Sequence, residues 1–218
     1  MKVLALKLSG PFQSWGTDIR VKDHRTDTMP SKSGVVGLLA AALGRSYGDD
    51  ISDLSSLRFG VRCDRAGTGH RDFQRADALR EDGKVDTYIG YRYYLQDACF
   101  TACLEGDEGL LEMCAEALNH PIYPIYLGRK ACVPSCRVFI GVYDGTLEDV
   151  LRSLPDQAPG RSDEVMRICL EPRDHICGAD RIRRDTPLSF AHKGNGHGAR
   201  LEKEFSIRRP ENGISQQN

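Results

Sequence analysis

Two patterns near the start of the chain decide what it can fold into. Leu4, Leu6 and Leu8 alternate with other residues, Lys7 among them, which is the period of a strand with one buried face. Further on, Val35, Leu38, Leu39, Ala42 and Leu43 recur at i, i+3, i+4, i+7 and i+8, the stripe of an amphipathic helix. Ser31 supplies an N-cap and Gly44 a C-terminal stop. A half-buried strand followed by such a helix requires each to cover the other, so the fold must be a helix-on-sheet layer.

The rest of the chain extends this pattern. Leu57 to Asp64 reads as a second strand, with Phe59, Val61 and Cys63 on one face. Residues 65–90 are polar, charged and turn-punctuated at Asp82-Gly83, an excursion with the character of a mobile hairpin. Residues 91–104 predict one long strand, with Ala98, Phe100, Ala102 and Leu104 sharing a face. Leu110, Leu111, Cys114 and Leu118 predict a second helix ended by Asn119-His120-Pro121, and residues 138–142 a further strand. Strand, helix, strand, strand, helix, strand is the split βαβ order of ferredoxin-like α+β domains, which include RNA-recognition modules. Residues 1–143 therefore form the expected main domain. Residues 144–218 form a small C-terminal β region and tail, with a short helix over Leu147 to Leu154 and strands near 164–170 and 203–208.

A chain of 218 residues buries one substantial core. It holds no apolar run of the roughly 20 residues that cross a bilayer, so no membrane partner is expected. The apolar part of the N-terminus is too short for a secretory signal, which places the protein in the cytoplasm. The 8 cysteines, in a chain with no export signal, read as reduced thiols packed as small core hydrophobes. Cys99/Cys103, Cys132/Cys136 and Cys169, His175 and Cys177 leave a zinc-stabilised adaptor as an alternative, but no metal and no cofactor is expected. The net charge of −1 conceals an uneven distribution: residues 1–34 carry 6 basic and 3 acidic groups, and residues 144–164 carry 6 acids against Arg152 and Arg161. One basic face can bind phosphates while an acidic segment lies elsewhere.

Three constellations suit nucleic acid. Pro30-Ser31-Lys32-Ser33-Gly34 opens the first helix, where free N–H groups, two hydroxyls and an ammonium suit a phosphate; a plain capped helix is the alternative. Tyr123-Pro124-Ile125-Tyr126-Leu127-Gly128-Arg129-Lys130 offers a glycine, two adjacent cations and tyrosines that stack on bases or anchor a solvated loop. Tyr88, Tyr91, Arg92, Tyr93 and Tyr94 interleave a cation with aromatics, which suits single-stranded RNA and equally suits cross-strand pairing. No Ser-His-Asp arrangement, paired-histidine metal motif or Walker A loop stands out. The histidines at 24, 70, 120, 175, 192 and 197 remain possible general bases.

The run Leu6-Lys7-Leu8-Ser9-Gly10-Pro11-Phe12-Gln13-Ser14-Trp15-Gly16 resembles the N-terminal signature of the CasD family, the crRNA-binding subunits of type I-E Cascade. Residues 30–44, Phe59-Gly60-Val61-Arg62-Cys63-Asp64, Tyr126-Leu127-Gly128-Arg129-Lys130-Ala131-Cys132 and Asp185-Thr186-Pro187 resemble the family in the same order. The resemblance spans residues 4 to about 190. It implies a RAMP-type domain with a β-hairpin thumb, mapped here onto the 65–90 excursion. It also implies a non-catalytic subunit that holds the 5′ handle of crRNA and meets the backbone and large subunits of Cascade, and through them target DNA. The expected contacts are Gln13, Ser14, Trp15 and Gly16, Ser31, Lys32, Ser33 and Gly34, Arg92, and Leu127, Gly128, Arg129 and Lys130. A metal-independent endoribonuclease that processes precursor crRNA is the alternative function. The His-Gly-rich loop at 192–198 has no assigned role.

Overall fold

β1 (Lys2–Ser9) runs antiparallel between β7 (Cys99–Gly106) and β8 (Phe139–Asp144), and β7 pairs on its other edge with β4 (Arg58–Arg65). Beyond β4 the sheet continues through β9 (Val165–Leu170), β11 (His197–Arg208) and β10 (Arg181–Pro187). The full order is β10-β11-β9-β4-β7-β1-β8, seven strands. The structure, a computed structural model, describes residues 1–16, 23–159, 164–173, 179–190 and 196–209. His175, Cys177, His192 and the tail after Arg209 lie outside them. Among the described residues, no helix is long and apolar enough to cross a membrane.

The sheet is covered on both faces. Leu4, Leu6 and Leu8 of β1 pack with α1 (Lys32–Ala42) and α3 (Glu108–Asn119), through Val35, Leu38, Leu39, Leu111 and Cys114. Val3 and Ala5 pack on the other face with Leu147, Val150 and Leu151 of α4 (Leu147–Ser153). The expected half-buried strand is thus buried on both sides, because the short helix after β8 folds back beneath it. Each fully buried leucine contributes about 2 kcal/mol relative to exposure. Cys99, Cys103, Cys114, Cys132 and Cys169 are buried free thiols in these layers, and burial pushes the Cys99 thiol up to about 11.

α4 is anchored to the sheet by Arg62, which is completely buried. Its guanidinium donates to the carbonyls of Leu151 (2.8 Å), Leu154 (2.6 Å) and Pro155 (2.7 Å) and pairs with Asp64 at 2.7 Å. It thereby satisfies the carbonyls that a helix end leaves without partners.

Residues 91–104 do not form one strand. Asp97 takes φ 55°, a left-handed conformation that redirects the chain between β6 (Val85–Gln96) and β7. β6 belongs instead to a hairpin with β5 (Thr68–Leu79), in register from Thr68 opposite Gln96 to Leu79 opposite Val85. The excursion is therefore longer than the polar segment suggested. Two short strands, β2 (Phe12–Gln13) and β3 (Asp23–His24), also pair with β6 near its base.

The C-terminal strands add to the main sheet rather than forming one of their own. Residues 181–187, where no strand was expected, are strand β10, and β11 begins at His197 rather than near 203. A short helix α2 (Ser52–Ser56) precedes β4.

Candidate nucleic-acid interface

Four segments meet around Trp15, which is fully buried. β1 ends nearby, and the Gln13 amide donates back to the carbonyls of Leu8 (3.1 Å) and Ala98 (2.8 Å) while accepting from the Trp15 indole N–H (3.1 Å). Ser14 N–H donates to the Leu127 carbonyl at 3.1 Å, and the Ser14 hydroxyl donates to the Tyr93 carbonyl at 3.2 Å. The loop from β1, the loop before β8 and the hairpin base are tied together by these bonds.

Two glycines permit this closeness. A Cβ on Gly34 would come within 2.8 Å of the Trp15 ring. Gly128 has φ 87°, and a Cβ there would fall onto the Ser14 carbonyl oxygen, so only glycine fits both the turn and the contact.

The start of α1 is already occupied. The Ser31 hydroxyl accepts from Gly34 N–H at 3.2 Å and from the Ser33 hydroxyl at 3.3 Å. Lys32 N–H donates to Asp185 Oδ2 at 2.9 Å, so a carboxylate of the protein sits where a phosphate was expected. The Lys32 ammonium is only 4% exposed and pairs with Glu171 at 3.0 Å. Burial pulls its pKa below the usual lysine value, against the raising effect of Glu171. Ser31, Lys32 and Gly34 thus make their hydrogen bonds and ion pair within the protein at the start of α1.

Asp185 belongs to a buried ionic cluster that sequence reasoning missed. Arg200 reaches it at 2.6 Å and Arg183 at 3.0 Å, and both also pair with Glu202. Burial alone would raise the Asp185 carboxyl, but its bonds to Arg200, Arg183 and Lys32 N–H hold it below the usual range. Arg183 also pairs with Asp27 at 3.1 Å, and Asp27 N–H donates to the Trp15 carbonyl at 2.8 Å. The cluster thus reaches the Trp15 loop from behind.

The solvent side of the junction carries a row of rings and cations. Phe12 lies 5.4 Å from the His70 ring and 5.6 Å from the Tyr94 ring, and the Arg129 guanidinium sits 5.4 Å from the Tyr94 ring centroid. Gly16, Lys130 and Arg92 are exposed. Gln13, Ser14, Trp15, Ser31, Lys32 and Leu127 are buried, Ser33, Gly34, Gly128 and Arg129 are half-buried, and Gly16, Arg92 and Lys130 are the expected contacts most open to solvent. Phe12 and His70 were not among the expected RNA contacts. Gly10-Pro11 just before Phe12 marks the turn that presents it, but nothing local ties it to residues 70 and 94.

A family model described as CRISPR-associated protein (Cas_Cas5) matches residues 3–209. The chain belongs to this family. It is 35% identical over 157 residues, 63% of this chain and 70% of the other, to the CRISPR system Cascade subunit CasD of Escherichia coli (strain K12). A solved structure described as a Cas protein shares 37% identity, with a TM-score of 0.76 and 95% of both chains covered. A chain of a CRISPR RNA-guided surveillance complex aligns at 29% identity, with a TM-score of 0.79 over 96% of this chain and 91% of that one. The family resemblance read from the motifs is thereby borne out. Three of the five segments that carried it, residues 6–16, 30–44 and 126–132, pack around Trp15.

Proposed function

We propose that this Cas5 family member is a non-catalytic subunit of a type I-E Cascade complex that holds the 5′ handle of crRNA at the Trp15 junction. The observation that carries this reading is the row His70, Phe12, Tyr94 and Arg129, flanked by Lys130 and Arg92. Unstacked bases of single-stranded RNA find π-faces there, and the cations neutralise the adjacent phosphates. Buried Gln13, Ser14, Trp15, Ser31, Lys32 and Leu127, with half-buried Ser33, Gly34 and Gly128, hold the row in place rather than touching RNA. The similarity to CasD and to a chain of an RNA-guided surveillance complex supports the assignment to Cascade.

Strand order β8-β1-β7-β4 with α1 and α3 on one face supports the ferredoxin-like reading of the core. The β5–β6 hairpin, which projects from that core with most of its residues exposed, fits the expected thumb. It would meet the backbone subunits of Cascade while the core faces the large subunit, and target DNA is met through the complex.

The test is co-purification of crRNA with Cascade carrying Arg92→Ala, Arg129→Ala and Lys130→Ala together. Retention falls if the reading is right; wild-type retention overturns it. Incubation of the purified chain with repeat RNA in EDTA covers the catalytic alternative. Intact RNA supports the non-catalytic role, and cleavage at one position replaces it with a metal-independent endoribonuclease.

A further inference from the structure

At the opposite end of the sheet from the Trp15 junction lies a cleft of about 240 Å³, lined in part by Arg58, Thr146, Leu147, Arg173 and Lys203. The two ends of β7, Cys99 near the junction and Glu105 near the cleft, are about 20 Å apart at strand rise. The cleft is thus separate from the proposed RNA face.

Charge at the cleft is unbalanced. Buried Glu105 is shared by two guanidiniums, Arg58 at 2.7 Å and Arg173 at 3.4 Å, through the same carboxylate oxygen. Its other oxygen accepts from Leu147 N–H at 2.7 Å, so the carboxylate is fully engaged. Lys203 adds a third cation, which lies over the Phe205 ring at 5.4 Å and forms no ion pair among the described residues. Glu148 lines the cleft too but is paired with Arg152 at 2.7 Å. Arg58 Nε is buried with no hydrogen-bond partner. Three cations therefore face one engaged carboxylate, with donor capacity left over.

We propose that this cleft binds an acidic side chain from a protein partner. A carboxylate completes the charge balance, giving Lys203 an ion pair and Arg173 a second acceptor beside the Glu105 oxygen it shares with Arg58. Nucleic acid fits poorly. Among the described residues no aromatic side chain lines the cleft to stack on a base. This site goes beyond the RNA-binding reading and does not depend on it.

The test uses the full-length chain labelled for NMR and titrated with a blocked tetrapeptide of alternating aspartate and glutamate. Saturable shifts at the Leu147 and Leu170 amides are expected, with no shift from the asparagine–glutamine counterpart. Lys203→Gln alone weakens binding roughly tenfold, the scale of one lost charge-assisted bond, and Arg173→Gln with Lys203→Gln abolishes it. Absence of saturation, equal binding by the neutral peptide, or unchanged binding in the double variant overturns the proposal. So does a single-stranded RNA oligonucleotide that shifts the same amides. Guide-RNA retention in the double variant remains at the wild-type level; a fall there would overturn the separation of the two sites.

Discussion

The backbone N–H of Lys32 donates to the Asp185 carboxylate across 2.9 Å, joining positions 153 residues apart. One carboxylate thereby caps α1, balances Arg183 and Arg200, and joins β10 to the helix that supports Trp15. A loss at Asp185 is felt at the junction without touching any exposed residue.

Acid should undo this cap. The Asp185 carboxyl titrates below its ordinary value of 3.8 when folded, so it contributes stability that is present above 3.8 and is lost as pH falls through the lower folded value. Thermal unfolding followed across that range should show the midpoint falling with acidification. Asp185→Asn should be less stable at neutral pH and show a shallower acid dependence.

The Arg62–Asp64 pair is fully buried, so removing one partner strands a charge in the core. Asp64→Ala is expected to lose about 3–5 kcal/mol by urea denaturation, the cost of breaking a buried pair. Replacing both residues with apolar side chains of similar volume should lose less, although the α4 carbonyls then have no donor.

Gly128→Ala places a Cβ on the Ser14 carbonyl at a left-handed φ. We expect a destabilisation of about 1–3 kcal/mol. Under the proposed function, crRNA retention should fall by more than in a surface variant of equal stability, because Arg129 and Lys130 move with the loop. Equal loss in the two variants would count against the loop's positioning role.

Arg129→Ala with Lys130→Ala should reduce the salt dependence of RNA binding by about 1.4 in log–log slope, roughly 0.7 for each lost phosphate contact on a single strand. Lys32→Ala should leave that slope unchanged while lowering the unfolding midpoint, since its ammonium faces Glu171. Filter binding across a salt series separates the two effects.

The periodic elements were legible because local pattern specifies them: the stripe from Val35 to Leu43 and the run from Leu110 to Leu118 became α1 and α3. The hairpin base was not, because Tyr91 to Leu104 keeps strand character straight through Asp97 and only backbone conformation marks the break. The convergence of residues 13–16, 31–34 and 127–130 was legible through motif order. Their burial was not, since Lys32 and Gln13 are polar residues whose partners lie far along the chain, at Glu171 and Ala98. Of the cluster of Arg183, Asp185, Arg200 and Glu202, only Asp185 stood in a motif, because pairing across β10 and β11 leaves no local signature.

The placement of β10 and β11 beside β9 also sets an order of events at the ribosome. The Trp15 loop is among the first segments translated, yet the arginine that steadies Asp27 and the carboxylate that caps α1 lie at positions 183 and 185. A nascent chain that has not yet added β10 and β11 therefore lacks both the arginine and the carboxylate that set this grip, together with Ile207 and Phe205 of the second core cluster.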